Sequence, residues 1–337
     1  MTKQQRINAF VKLGEQLQNQ PGDLIQIMQV AQHKNPWYTI NNVESALQAI
    51  ISNLTFDKLN QWLLPYPDVN SAKYVGLILA GNIPLVGFHD ILCVLVSGFK
   101  AKIKVSSDDA GLTHYILNKL QQIEPEFSQA VEIVDKLKDF DLVIATGSNN
   151  TSRYFDYYFG TKPHIIRRNR NSIAVISGQE TSAQLRALGH DIFDYFGLGC
   201  RSVSKLLIPK DYSIAQFFEG IADFKTITEH FKYNNNYDYN KSIYLINGDK
   251  HFDNGFLLLK QDPRTASPLA VVYYEEYENI SAVENTLQAQ HENIQCIVSE
   301  IPLNVQSPVF HFGESQCPAL DDYADGVNTL DFLFANQ

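Results

Sequence analysis

Cys200 stands in GLGCRSVSKLLIP (197–209), a glycine-rich turn between an amphipathic stretch and an apolar run. Glycines let a backbone bend tightly and leave the next side chain accessible. An accessible thiol attacks carbonyl carbon once ionised, but with an ordinary pKa of about 8.5 it is only partly thiolate near neutrality. The other reading of such a residue is a buried structural cysteine, which suits Cys93 (ILCVL) and Cys296 (NIQCIV) inside their apolar runs. The four cysteines lie far apart, with no C-x-x-C and no histidine pair at metal spacing, so no metal site is expected and a reducing cytoplasm fits best.

Three further segments carry groups suited to a site. In AGNIPL (80–85), Asn82 follows an apolar run and precedes Pro84, as a helix-capping turn residue or as an amide donor. In KVSS (104–107), Lys104 and Ser107 end the next apolar run, and Lys104 alone reads equally well as a solvated surface lysine. In ATGSNNTS (145–152), Gly147-Ser148 closes another apolar run and opens a helix, where bare backbone and unsatisfied N–H groups suit a pyrophosphate. No G-x-G-x-x-G occurs, so the usual dinucleotide fingerprint is absent.

Elements with a regular order must position these groups. Residues 3 to about 64 have helical spacing, broken at Asn35-Pro36, and Pro65-Tyr66-Pro67 marks a boundary. The rhythm then alternates: strands at 74–80, 101–105, 141–145 and 172–176, helices at 85–97 (opening at Pro84), 110–122 and 151–159. That order predicts a parallel, doubly wound sheet, whose strand carboxyl ends collect ligands and here carry Asn82, Lys104 and Gly147-Ser148. Beyond residue 180 the pattern predicts helices at 182–196, 214–227 and 281–290, strands at 202–208, 255–260, 269–274 and 294–298, and a polar aromatic loop or helix start at 233–239.

The 337 residues suffice for two packed α/β lobes, with a cleft between them as the default site. The expected division is a helical N-terminal segment (1–65), a dinucleotide-binding lobe (66–178), a catalytic lobe carrying the nucleophilic cysteine (179–312) and a C-terminal segment (313–337). A net charge of -10 argues against a general nucleic-acid binder. The apolar stretches 78–86 and 91–99 are too short to span a bilayer, and the opening MTKQQRINAF lacks the apolar core of a secretory signal.

Taken together and in this order, AGNIPL, KVSS, ATGSNNTS and GLGCRSVSKLLIP resemble the aldehyde dehydrogenase superfamily. More narrowly the chain resembles its acyl-CoA reductase (LuxC) branch, from about residue 36 and including NPW (35–37) and DYADGVNTLDFL (322–333). The resemblance implies an aldehyde-dehydrogenase-like α/β fold and reduction of an acyl-CoA thioester to a fatty aldehyde. It makes Cys200 the residue that is acylated, and Asn82 a donor, with the Cys200 backbone N–H, to the oxygen that gains charge. It places Lys104 at the adenosine ribose and Gly147-Ser148 at the pyrophosphate. Ser107 falls where NAD-preferring relatives carry a ribose-binding glutamate, so NADPH is expected over NADH. A homo-oligomer is expected on the same ground.

Two departures from the family pattern matter. The Glu-Leu-Gly-Gly stretch whose glutamate activates water in aldehyde-oxidising relatives is replaced by RRNRNSIAVI (167–176), without a carboxylate. Hydrolysis of an acyl-cysteine should then be slow. Arg167, Arg168 and Arg170 there read as a solvated basic loop, or as contacts to CoA phosphates. The glutamate that grips the nicotinamide ribose is also missing, with Arg264 or Thr265 near its place. His89, His164 and His311 read as structural or surface residues, and Glu275 and Glu276 as solvated. The rival readings are a cysteine acyltransferase or thioesterase without hydride transfer, and a catalytically silent protein that binds the acyl group or the nucleotide.

Overall fold

Thr2 and Gln5 close a capping box at the start of the helix Lys3–Gln18, whose apolar face buries Ile7, Phe10, Leu13 and Leu17. The helices Gly22–Lys34, Ile40–Asn53 and Phe56–Leu63 follow, and the breaker at Asn35-Pro36 falls between the first two of these. The computed structural model describes all 337 residues, Asn149 by its backbone only. It divides into two units: residues 1–169 with 319–337, and residues 170–318.

In the first unit a five-stranded, all-parallel sheet runs β1 (Tyr74–Ile78), β2 (Lys100–Lys104), β3 (Val131–Ile133), β4 (Leu142–Thr146) and β5 (His164–Arg167), in spatial order 3-2-1-4-5. The N-terminal helices share one hydrophobic core with β1, β2, β4 and the C-terminal helix Thr329–Ala335. The chain winds outward from β1 through β2 to β3, then returns to the far side of β1 for β4. The switch point of the sheet therefore lies between β1 and β4.

The expected helix at 85–97 begins later, at Phe88, and ends at Val96. Leu85 has φ +54°, a left-handed conformation that a helix cannot contain, so Pro84 sits in a turn instead of the first helical turn. The edge strands β3 and β5 add to the sequence reading.

In the second unit, strands β6 (Asn171–Val175), β7 (Val203–Pro209), β8 (Phe252–Asp253), β9 (Leu258–Gln261), β10 (Val271–Tyr277), β11 (Ile294–Ser299) and β12 (Val309–Phe310) form a seven-stranded sheet. Its order is 12-11-6-7-10-9-8, parallel except for the β8–β9 pair. The strand expected at 172–176 thus belongs to this sheet and not to the first one. Helix Ser182–Phe193 stops three residues short of the predicted 196, because Tyr195 and Phe196 both take left-handed backbone angles. The 214–227 segment splits into a short helix, Ile214–Gly220, and a 3-10 stretch, Ala222–Glu229. The polar aromatic segment is the helix Phe231–Asn247. Among the described residues no helix is long and apolar enough to cross a membrane.

Candidate active site

The first unit gathers its candidate residues at the carboxyl edge of the sheet. Asn82 lies in the loop after β1 and is exposed. The loop is held from beneath by Tyr38, a fully buried residue whose hydroxyl sits 2.9 Å from the Gly81 carbonyl and 3.1 Å from that of Ile83. The two carbonyls flank Asn82, so one phenol fixes the loop on both sides of it. Burial, then the charges of Asp109 and Asp108, push the Tyr38 hydroxyl well above its ordinary pKa, and it stays protonated as a donor. Its neighbour Asn35 donates from its side-chain amide to the Asp108 carbonyl at 3.0 Å. The NPWY segment (35–38) therefore anchors two loops of the sheet edge, a role that no local pattern announced.

Lys104 ends β2, paired in register with Ile78 of β1, and is partly buried; Ser107 is exposed in the loop beyond it. A Cβ on Gly81 would stand 2.5 Å from Ser106 Oγ, so the Asn82 and Ser107 loops pack directly on each other. Asp108 is exposed beside Ser107, a carboxylate one residue further on. Asp109 is buried and accepts from Thr113 N at 3.0 Å, opening the helix Leu112–Ile123.

Gly147 and Ser148 follow β4. Ser148 caps the helix Asn149–Phe159, accepting from Thr151 N at 3.2 Å. A Cβ on Gly147 would meet Phe155 at 2.9 Å and Thr151 at 3.1 Å, so the strand end is kept bare by internal packing. Bare backbone at the β1/β4 switch point, directly before the N-terminus of an eleven-residue helix, fits a nucleotide pyrophosphate. Lys104 and Ser107 stand one strand further out, at the end of β2.

Of the basic stretch only Arg168–Arg170 is a surface loop; Arg167 is not part of it. Arg167 ends β5 and is buried, ion-paired with the equally buried Asp90 and donating to Thr329 Oγ1 at 3.1 Å. Its charge is consumed inside the first unit. Arg168 pairs with Asp156 at 3.0 Å on the surface, and Arg170 reaches the Ile294 carbonyl at 3.4 Å.

In the second unit Cys200 lies at the amino end of β7. Leu198 N donates to Tyr195 O and Ser202 N to Gly199 O, both at 3.1 Å, giving two successive turns with Cys200 exposed in the second. Tyr195, Phe196 and Gly197 have φ of +54°, +59° and +76°. The first two are side-chain-bearing residues in the left-handed region, a strain of order 1 kcal/mol or more each. Burial of Tyr195 and the tilted packing of Phe196 against His230, with centroids 4.2 Å apart, hold them there.

Distant residues complete the turn. Buried Ser172 on β6 donates to the Cys200 carbonyl at 3.0 Å. Gln316 donates to Ser202 Oγ at 3.3 Å, and Arg201 lies over the Phe310 ring. The 313–316 segment is itself held by Asp191, fully buried, which accepts from Gly313 N at 2.6 Å and Ser315 N at 3.1 Å. Burial pushes the Asp191 carboxyl up, partly offset by those donors.

The four cysteines are chemically distinct, and none is in a disulfide. Cys93 is fully buried, and burial pushes its thiol far up. Cys296 is buried on β11. Cys317 is exposed, but desolvation and then the charges of Asp194, Asp191 and Glu314 push its thiol up. Cys200 is the remaining exposed cysteine.

Other residues near expected positions have structural partners. Arg264 is fastened to Asp262 at 2.6 and 2.8 Å, holding that carboxyl down to about 2. Glu275 is not simply solvated: it accepts an ion pair from Lys205, which is 1 % exposed. Glu180 is spent on Ser177 N, Ser177 Oγ and Gly178 N at 2.6, 2.7 and 3.0 Å. His89 bonds the Leu320 carbonyl, His164 the Lys162 carbonyl, and His311 lies 3.5 Å from Glu300. Among the described residues no cluster of three His, Cys, Asp or Glu could hold a metal ion.

Comparison with known proteins bears on the whole arrangement. The sequence profile of the acyl-CoA reductase (LuxC) family matches residues 25–219, more than half the chain. No curated protein sequence gives a significant match. Aldehyde dehydrogenase 21 from Physcomitrella patens, solved with succinate, is similar over 100% of this chain and 84% of its own, with a TM-score of 0.70 and 13% identity. An NAD-dependent aldehyde dehydrogenase from Sinorhizobium meliloti covers 89% of this chain and 70% of its own, at TM-score 0.66 and 11% identity. The indole-3-acetaldehyde dehydrogenase of P. syringae, solved with NAD+, matches over 89% and 72%, at TM-score 0.65 and 12% identity. At such identities the structures speak for the fold, and the profile for the family. The chain belongs to the acyl-CoA reductase (LuxC) family and is an oxidoreductase with the aldehyde-dehydrogenase fold.

Proposed function

We infer that this enzyme reduces a fatty acyl-CoA to an aldehyde through an acyl-cysteine on Cys200, with NADPH as the preferred cofactor. Cys200 thiolate attacks the thioester carbonyl, and the coenzyme A thiolate leaves as its C–S bond breaks. The Asn82 side-chain amide and the Cys200 backbone N–H stabilise the oxygen that carries the charge. A nicotinamide cofactor, when bound, supplies the hydride that converts the acyl-cysteine to aldehyde and returns the thiolate.

The observation that carries this reading is the exposed Cys200 on a strained, externally braced turn, while Cys93 and Cys296 are buried and the Cys317 thiol is held protonated. Lys104, Ser107, Gly147 and Ser148 are the residues that would hold the cofactor, at the edge of the first sheet. Ser107 sets no carboxylate of its own against a 2′-phosphate, and exposed Asp108 beside it makes the preference over NADH modest. The absence of a carboxylate from 167–176 supports slow hydrolysis of the acyl-cysteine. By family resemblance the enzyme works in the cytoplasm as a homo-oligomer, with the first unit binding the nucleotide and the second carrying catalysis.

The test uses a labelled acyl-CoA with NADPH or NADH, followed by absorbance loss and by label retained on protein. Cys200→Ala should form no aldehyde and trap no acyl group, and NADPH should outcompete NADH. Undiminished aldehyde formation by that variant would overturn the reading. Trapping of label on the unaltered protein with no cofactor oxidised would instead mark an acyltransferase.

A further inference from the structure

The bond from Ser172 to the Cys200 carbonyl belongs to a longer feature. Ser172 is 0 % exposed, and its hydroxyl lies 3.0 Å from the Cys200 carbonyl and 3.0 Å from Cys296 Sγ. A hydroxyl has one proton to give. Donated to the carbonyl, it leaves the oxygen as acceptor for the Cys296 S–H, so the three groups form one directed chain.

The strands around Ser172 are built to allow it. Between Ser172 and Ile173 the β7 partner advances from Val203 to Lys205, one residue too many. On the other side, β6 advances from Asn171 to Ile173 while β11 runs from Ile294 to Ile297, again one residue too many. Both neighbours therefore bulge at the same serine. Bulges in parallel pairs are rare, and they break the ladder locally and re-aim side chains. Here they let a side chain of β6 reach the loop before β7, a place that strand backbone hydrogen bonding does not serve.

We propose that Ser172 is a positioning residue for Cys200, with Cys296 as the second link that directs its hydroxyl. The carbonyl bond fixes the peptide plane following Cys200, and with the Gly199–Ser202 turn it restricts the presentation of the thiol. The proposal rests on Cys200 being the reacting cysteine. Ser172 touches neither substrate nor cofactor in this scheme and acts only through the turn.

Two readouts test it, with urea midpoints to show that each variant is folded. The first is alkylation of Cys200 by iodoacetamide between about pH 6 and 10, with the modified residue identified by mass spectrometry. The second is the acylation burst with a labelled acyl-CoA. Ser172→Ala should slow both by roughly tenfold, the scale of one lost hydrogen bond, with KM for the cofactor unchanged. Ser172→Thr, which keeps the hydroxyl, should recover most of the loss. Cys296→Ala should give a smaller loss, roughly two- to threefold, and Cys296→Ser, which keeps a donor, should restore it. A folded Ser172→Ala protein with unaltered alkylation and unaltered burst would overturn the proposal. If Cys200→Ala still made aldehyde, the assignment of the nucleophile would fall, while the alkylation series would still decide whether Ser172 positions that thiol.

Discussion

The two units place their candidate chemistry at opposite ends of their strands. In the first, Asn82 and Gly147 follow the carboxyl ends of β1 and β4, where the winding of the sheet reverses, and Lys104 ends β2 one strand further out. In the second, Cys200 precedes β7 and Ser172 lies near the start of β6, at the amino ends. The carboxyl edge of a doubly wound sheet offers helix N-termini and bare loops, so a phosphate site there comes with the topology. The amino edge has no such provision. The second unit supplies the support from elsewhere in the chain: Ser172 on β6, and the 313–316 segment, which Asp191 holds.

That contrast can be broken at several points. The largest expected effect is on the stability of the first unit. Asp90→Ala leaves the Arg167 guanidinium buried without its carboxylate, at a cost of about 3–5 kcal/mol by urea unfolding. A loss near zero would mean that this pair does not organise the β5 end. Asn82→Ala should do the opposite. Its side chain is exposed, so the urea midpoint should hold, while aldehyde formation falls by roughly two to three orders of magnitude.

In the second unit, Asp191→Ala removes the acceptor for two backbone N–H groups and should cost about 1–3 kcal/mol. If the amino edge depends on distant braces, the same variant should also slow alkylation of Cys200. An unaffected thiol would show that the turn holds itself. The smallest effect is electrostatic. Hydrogen bonds from Arg264 hold Asp262 down to about 2, below its ordinary value, so the pair's contribution is complete above an aspartate's usual range and is lost as pH falls through about 2. Because Arg264 is largely exposed, the change in stability should be slight, visible as a late Asp262 titration by NMR.

The alternation of apolar runs and helical periods in the first half of the chain is a strong signal, because buried parallel strands are apolar on both faces. It located β1, β2 and β4, and with them Asn82, Lys104 and Gly147. The edge strands β3 and β5 escaped it, since β3 is largely exposed and β5 reads HIIR beside a basic stretch. The helix Phe231–Asn247 was legible only as a loop or helix start, its asparagines and tyrosines giving little amphipathic contrast. Arg167 looked like part of a solvated run because its partner, Asp90, is 77 residues away.

The sequence by itself determined the order of elements, the glycines that leave Cys200 and Gly147 at bare turns, and the motif set shared with acyl-CoA reductases, because each is a property of neighbouring residues. Only the tertiary structure decided that Tyr38 clamps the Asn82 loop and that Arg167 is internal. It also decided that Ser172 meets Cys200 between two bulged strands. Those are contacts between residues tens of positions or more apart, and such pairs come together only when sheets assemble and desolvate their polar groups, which no local pattern encodes.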